Sequence, residues 1–228
     1  MSPVLRLEGV SKIYNQGQNQ VWATREVNLE MAEGELVCLV GPSGSGKTTI
    51  LQIAGLLDIA SSGRIFIADQ EVSAADDERR TEMRKKNIGF IYQFHHLMPE
   101  LSVLENVALP LLIQGFPKKS AFERAKQILV EVELGDRINF KPFELSGGQQ
   151  QRVAIARAIV VKPKLILADE PTGNLDSDLA AKIFALFSIL VKSYKIACLV
   201  VSHNLELAKK CDRVLEIVDG KLSNLILS

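Results

Sequence analysis

Cysteine is scarce in this sequence of 228 residues: Cys38, Cys198 and Cys211 are an odd number, far apart, without the close pairs that structural zinc sites need. A disulfide framework and a zinc module are excluded, and the three read as reduced, mostly buried thiols of a cytoplasmic protein. Excess charge is also absent. Lys and Arg number 27 against 27 Asp and Glu, so no general attraction to nucleic acid or anionic lipid follows, and no nucleic-acid partner is expected. Long apolar runs are missing too: the longest, Val107 to Ile113, contains Pro110 and falls far short of the ~20 residues of a membrane-spanning helix. No direct membrane insertion is expected. The opening residues, Met1 to Arg6, lack a basic start followed by an apolar stretch, so the chain is expected to stay in the cytoplasm.

What is present is the composition of a globular protein, 47% apolar and 24% charged. At roughly 100 to 200 residues per domain the length fits one large domain. Val4, Leu5, Leu7 and Val10 form a strand-like opening, and Glu35 to Val40 reads as a buried strand ending at Gly41. A loop of Gly and Ser follows, and Thr48 to Leu57 then carries Ile50, Leu51, Ile53 and Ala54 at helical spacing. Further strands are predicted over Arg64 to Ala68, Ile88 to Tyr92, Leu165 to Ala168, Ile196 to Val201 and Val214 to Val218. Strands alternating with helices indicate an α/β fold with a mainly parallel sheet covered on both faces. From Leu97 to about Val161 the long patterns are only helical, which reads as a helical insertion in that core. There Ser120 and Glu123 form a capping-box pair and Gly135 stands at a C-cap position. Asp76 to Lys86 reads as a solvated, partly helical surface.

Three stretches carry chemistry. Gly41-Pro42-Ser43-Gly44-Ser45-Gly46-Lys47-Thr48 fits the phosphate-binding loop pattern G-x-x-x-x-G-K-[ST] in its required strand-to-helix context. The glycines let successive N–H groups converge on one concavity, where the helix N-terminus adds about half a positive charge. Lys47 then reaches the β and γ phosphates and Thr48 offers its hydroxyl to Mg²⁺. Leu165 to Glu170 is an apolar strand ending in two acids: Asp169 orients Mg²⁺ and its waters, and Glu170 polarises the attacking water. Leu145-Ser146-Gly147-Gly148-Gln149 opens a second helix, Gln150 to Val161, whose N-terminus also seeks phosphate.

In this order, the three stretches resemble the ATP-binding cassette (ABC) ATPases over essentially the whole chain. The resemblance implies a P-loop NTPase, RecA-like parallel-sheet core at about 1–93 and 162–228, with an N-terminal antiparallel β portion and a helical subdomain at about 94–161. It implies Mg-dependent ATP hydrolysis coupled to transport, with Glu170, His203 and Gln93 as catalytic residues and Thr48, Gln93 and Asp169 on the metal. ATP contacts are implied for Tyr14, the Gly41 to Thr49 loop, Ser146 to Gln149 and Asp176. Tyr14 is similar to the aromatic that stacks on adenine, and Asn174-Leu175-Asp176 resembles the loop that crosses to the other subunit. The implied assembly is a head-to-tail homodimer in which the Gly41 to Thr48 loop of one chain and the Ser146 to Gln149 turn of the other sandwich ATP. Two positions depart from the usual pattern: Asn204 where many relatives have Asp, and Gln150 where an acid or Lys is common.

Within the family, Phe90 to Pro99, Leu104 to Val107 and Leu109 to Leu112 look like the ATPase subunit of the bacterial lipoprotein-releasing exporters. Pro171 to Asp176 is shared with macrolide exporters and cell-division ATPases, which stand as the alternatives. The resemblance implies a peripheral subunit on the cytoplasmic face of the bacterial inner membrane. Integral membrane subunits would dock near Gln93 to Val103, with Leu97, Met98, Leu101 and Val103 supplying apolar area. His95 and His96, adjacent but without nearby Cys or carboxylate partners in the sequence, are weak evidence for a metal site.

Overall fold

A computed structural model of the chain describes residues 2–17 and 19–226. The chain opens with two long paired strands, β1 (Leu5–Gln16) and β2 (Asn19–Met31), followed by β3 (Leu36–Val40) and α1 (Lys47–Ala54). Next come β4 (Ser62–Ile67), β5 (Gln70–Glu71), α2 (Asp77–Asn87) and β6 (Ile88–Tyr92). Between β6 and β7 (Leu165–Asp169) the described elements are helical: α3 (Val103–Ile113), α4 (Lys118–Glu131), a 3-10 turn at Pro142–Glu144, and α5 (Gly147–Ile159). The chain finishes with α6 (Ser177–Ser193), β8 (Ala197–Val201), α7 (Leu205–Ala208), β9 (Arg213–Val218) and β10 (Lys221–Asn224).

Two sheets result. β2-β1-β4-β5 is antiparallel; β10-β9-β3-β8-β7-β6 is parallel except for β10. The central strands are buried on both faces, which is why they read as continuous apolar runs. Alternation sorts them between two cores. Leu165, Leu167, Leu199 and Val201 pack with α1 and the antiparallel sheet, whereas Ile166, Ala168, Cys198 and Val200 pack with α3, α4, α5 and α6. The parallel order aims the carboxyl ends of β3, β6, β7 and β8 at one edge, where the loops carrying Gly41, Gln93, Glu170 and His203 begin. Among the described residues no helix is long and apolar enough to cross a membrane.

Several local expectations are corrected. α4 starts at Lys118 behind Pro117, with no side-chain cap, so Ser120 and Glu123 lie inside the helix. Proline just before the first turn, with its fixed φ, sets the start instead. The helix ends at Glu131 with Val132 as its C-cap, and the left-handed residue that follows is Glu133, not Gly135. In α2, Arg80 and Arg84 turn inward and donate to the carbonyl of Leu56 rather than facing solvent. Val103 is fully buried in the helical core and offers no area to a partner; Phe94 and Met98 are the exposed apolar side chains of that stretch. The cysteines, distant in sequence, meet in space: Cys211 packs against the small core containing Cys38, and all three are free thiols. Burial pushes the Cys198 thiol up, and contact with Cys38 followed by burial raises Cys211. Both stay protonated and weakly nucleophilic.

Candidate functional site

The phosphate loop is built by glycines where no other residue fits. Gly46 caps α1 in a left-handed conformation, φ 111°, and a side chain there would run into the carbonyl of Ala23. Gly41, φ 148°, is closed off in the same way by the carbonyl of Ile217. No side chain caps the N-terminus of α1, which leaves its first-turn N–H groups for a ligand. The Ser45 hydroxyl is buried without a hydrogen-bond partner among the described residues, a donor a phosphate oxygen would satisfy. Lys47 is buried and folds back, its Nζ donating to the carbonyls of Gly41 (2.9 Å) and Pro42 (2.7 Å). Burial lowers its pKa, opposed by Glu170 and Asp169. Lys47 therefore lies within electrostatic reach of both carboxylates.

Asp169 ends β7, opposite Tyr92 on one side and Val201 on the other. Burial and then the charge of Glu170 raise its pKa above the usual carboxylate range, and no hydrogen bond or ion pair holds it among the described residues. The half-buried, unpaired Asp169 carboxylate and the Thr48 hydroxyl are hard oxygen donors of the kind that would suit Mg²⁺. Among the described residues no cluster of three or more His, Cys, Asp or Glu could hold a metal by itself. Glu170 follows in a left-handed conformation, φ 45°, with its N–H donating to the carbonyl of Val201. Such strain in a non-glycine residue persists only where the surroundings enforce it. Its carboxylate lies 3.1 Å from His203 Nε2.

Gln93 and Asn174 form a reciprocal pair: Gln93 Nε2 donates to Asn174 Oδ1 and Asn174 Nδ2 to the carbonyl of Gln93, each at 2.9 Å. Asp176 caps α6, accepting from the N–H of Leu179. Ser146 caps α5 in a capping box with Gln149, and Ser146 and Gly147 are exposed. Gly148 is buried against Leu179 and Ile183. Tyr14, on β1, donates to Asp58 Oδ2 at 2.7 Å, next to Thr49 of α1 and beneath the Lys12 ammonium. Burial and then the Asp58 hydrogen bond raise its pKa. Thus Tyr14, the Gly41 to Thr49 loop, Gln93, Asp169, Glu170 and His203 gather at one edge. No hydrogen bond or ion pair joins the Gly41 to Thr48 loop to the Ser146 to Gln149 turn among the described residues.

The two departures have local explanations. Asn204 caps α7, accepting from the N–H groups of Glu206 and Leu207 as an aspartate would. Gln150 anchors the 3-10 turn by donating to the carbonyls of Pro142 and Leu145. The sequence reading missed Lys12 and Asp58, which hold Tyr14, and Arg157, whose guanidinium grips the loop after β6. No local pattern marks them, since the hydrogen bonds Lys12–Asp58, Tyr14–Asp58 and Arg157 to His95 and His96 each span more than 40 positions. A mostly apolar groove of about 270 Å³ is lined by residues of α2, β6, α3 and α5, among them Arg84, Phe90, Tyr92, Leu109, Pro110 and Arg157.

The family model described as ABC transporter matches residues 24–173. The chain is 50% identical over 220 residues to the "Lipoprotein-releasing system ATP-binding protein LolD" of Pseudoalteromonas translucida, covering 96% of this chain and 95% of that protein. It is 48% identical over 219 residues to the LolD of a Ruegeria species, covering 96% of each. Among solved structures it resembles the dimeric structure of MJ0796, a bacterial ABC transporter cassette, and that cassette's post-hydrolysis state bound to ADP and Pi. Each has a TM-score of 0.87 at 39% identity, over 98% of this chain and 100% of the other.

Proposed function

The chain belongs to the ABC transporter family, among its lipoprotein-releasing ATP-binding proteins, and from that membership we propose that it binds and hydrolyses ATP to drive lipoprotein release through integral membrane subunits. The full-length identity to the LolD proteins supports the cargo class. The observation that carries the chemistry is the convergence of Lys47, Asp169, Glu170 and His203 on one edge of the parallel sheet.

The α1 N-terminus and the glycine loop bind the phosphates, and Lys47 exchanges its two loop carbonyls for phosphate oxygens. Tyr14 stacks on adenine. Thr48, Asp169 and Gln93 would hold Mg²⁺, which would supply positive charge to offset that of the phosphates. Glu170 accepts a proton from water as the water oxygen bonds to the γ-phosphorus and the bond to the β–γ bridging oxygen breaks. His203, 3.1 Å from Glu170, orients that carboxylate and the γ-phosphate.

The chain's own Ser146 to Gln149 turn makes no hydrogen bond or ion pair to the phosphate loop among the described residues, which leaves the far side of the γ-phosphate to another donor. We assign that side to the same turn, with Asp176, of a second chain in head-to-tail arrangement, a reading supported by the dimeric cassette structures. We divide the chain into a nucleotide-binding core and a helical part at 94–161, supported by the unbroken run of helices between β6 and β7. The membrane subunits dock in the groove between the two, beside the exposed Phe94 and Met98, on the cytoplasmic face of the inner membrane.

Proteoliposomes holding the chain with its co-purified membrane subunits and a lipoprotein test the proposal. ATP is expected to release lipoprotein, and Glu170→Gln to bind ATP without release. Hydrolysis by Glu170→Gln at the wild-type rate removes the base assignment, and ATP turnover without lipoprotein release removes the cargo.

A further inference from the structure

We propose that His95 and Arg157 are positioning residues that latch the loop after β6 onto helix α5, fixing where the first turn of α5 stands. The proposal rests on the reading of that turn as the half-site closing on the partner chain's ATP.

His95 and His96 are consecutive left-handed residues, φ 52° and 48°, a conformation side chains resist and surroundings must hold. The holder is Arg157 in the last turn of α5. Its two terminal nitrogens donate to the carbonyls of His95 and His96, each at 2.6 Å. A planar fork matches two adjacent acceptors where a single ammonium cannot. The His96 ring packs on Tyr92 at 4.9 Å between centroids, which steadies the same turn.

So turned, the His95 ring reaches the opposite end of the same helix: its Nε2 lies 3.0 Å from the carbonyl oxygen of Gly147. A carbonyl only accepts, so Nε2 carries the hydrogen and donates. The loop therefore grips α5 at its last turn through Arg157 and at its first through His95. Two residues before His95, the reciprocal Gln93–Asn174 pair ties the same loop to the turn after β7. Phe94, between these two ties, is 71% exposed. Pressure on Phe94 from a docked partner is thus passed to the exposed first turn of α5 at Ser146 and Gly147. Neither His95 nor Arg157 belongs to the phosphate loop, to the carboxylate pair Asp169–Glu170 or to the Ser146 to Gln149 turn.

The experiment measures ATP-dependent self-association of the full chain by sedimentation in a Glu170→Gln background. His95→Ala is expected to weaken the dimer by about three- to tenfold, the loss of one hydrogen bond. His95→Gln, whose amide can also donate to Gly147, restores it to within about twofold. Arg157→Lys weakens it as His95→Ala does. Binding of a fluorescent ATP analogue to the single chain stays unchanged in all three, which a general loss of structure would not allow. A His95→Ala dimer as tight as its parent overturns the latch while leaving the dimer reading intact; a parent that never dimerises with ATP overturns the dimer reading itself. If His95→Ala does not fold, a His95→Gln dimer no tighter than that of Arg157→Lys overturns the donor role.

Discussion

One methyl group at position 173 separates the chemistry of this site from its stability. Gly173 is exposed in the turn after β7 and its φ lies outside the left-handed region, so alanine meets no backbone strain. Its Cβ, however, would stand 2.9 Å from Gln93 Nε2, 3.1 Å from Glu170 Oε2 and 3.3 Å from Gln93 Cδ. Comfortable contacts are ~3.5–4.0 Å, so both side-chain ends must retreat by about 0.5–1 Å. The fold tolerates that, because only side-chain ends move, and removing glycine from the unfolded chain stabilises by ~0.4–1 kcal/mol. Catalysis does not, since a displacement near 1 Å costs on the order of 100-fold in rate. Gly173→Ala in the membrane complex is therefore expected to lower kcat by roughly 30- to 100-fold, with Tm and single-chain ATP affinity kept. Steady-state hydrolysis, thermal unfolding and nucleotide binding together read this out. A folded variant with kcat within about threefold of wild type refutes the placement of Gln93 and Glu170 at the reacting atoms.

Gly46→Ala drives a Cβ into the Ala23 carbonyl at a left-handed position; loss of nucleotide binding with a lowered Tm is expected in a binding titration and a melt. Lys47→Met removes the ammonium that spans the phosphates and is expected to abolish ATP binding, measured by the same titration, while the fold survives. Asp169 has a folded pKa raised above its ordinary 3.8 by burial and Glu170, so the folded state binds the proton more tightly and stability is lost as pH rises from about 4 through the folded value. Asp169→Asn should accordingly melt above wild type at pH 7.5 without nucleotide, the difference closing near pH 4; a pH-independent difference contradicts this. Phe184, 1% exposed and edge-on to Phe187 at 6.2 Å, should cost about 3–5 kcal/mol as Phe184→Ala in chemical denaturation.

The central strand Leu165–Asp169 is legible to within one residue because burial on both faces writes it as an apolar run, and the edge strand Ile88–Tyr92 is legible in full although Phe90 and Tyr92 are only partly buried. The N-terminal hairpin was not legible as a pair of long strands. β2 is exposed at six of its eight residues over Asn19–Glu26, with no alternation there, and the β1–β2 ladder shifts register three times, which breaks the period-two signal. The start of α4 was misplaced because Pro117 at the helix entrance outweighs a Ser–Glu pair three residues in. In the site, glycine spacing and the acids after an apolar strand mark Gly41 to Thr48 and Asp169-Glu170 locally. Arg157, Asp58 and Lys12 leave no such mark, because their partners are set by tertiary packing alone.

The shared ATP site is tested most directly by sedimentation of the Glu170→Gln chain without nucleotide, with ADP and with Mg-ATP. A dimer with Mg-ATP alone, abolished by Ser146→Arg although each chain still binds ATP, is the result this account predicts. A chain that stays monomeric with saturating Mg-ATP, or a dimer indifferent to Ser146→Arg, would contradict it.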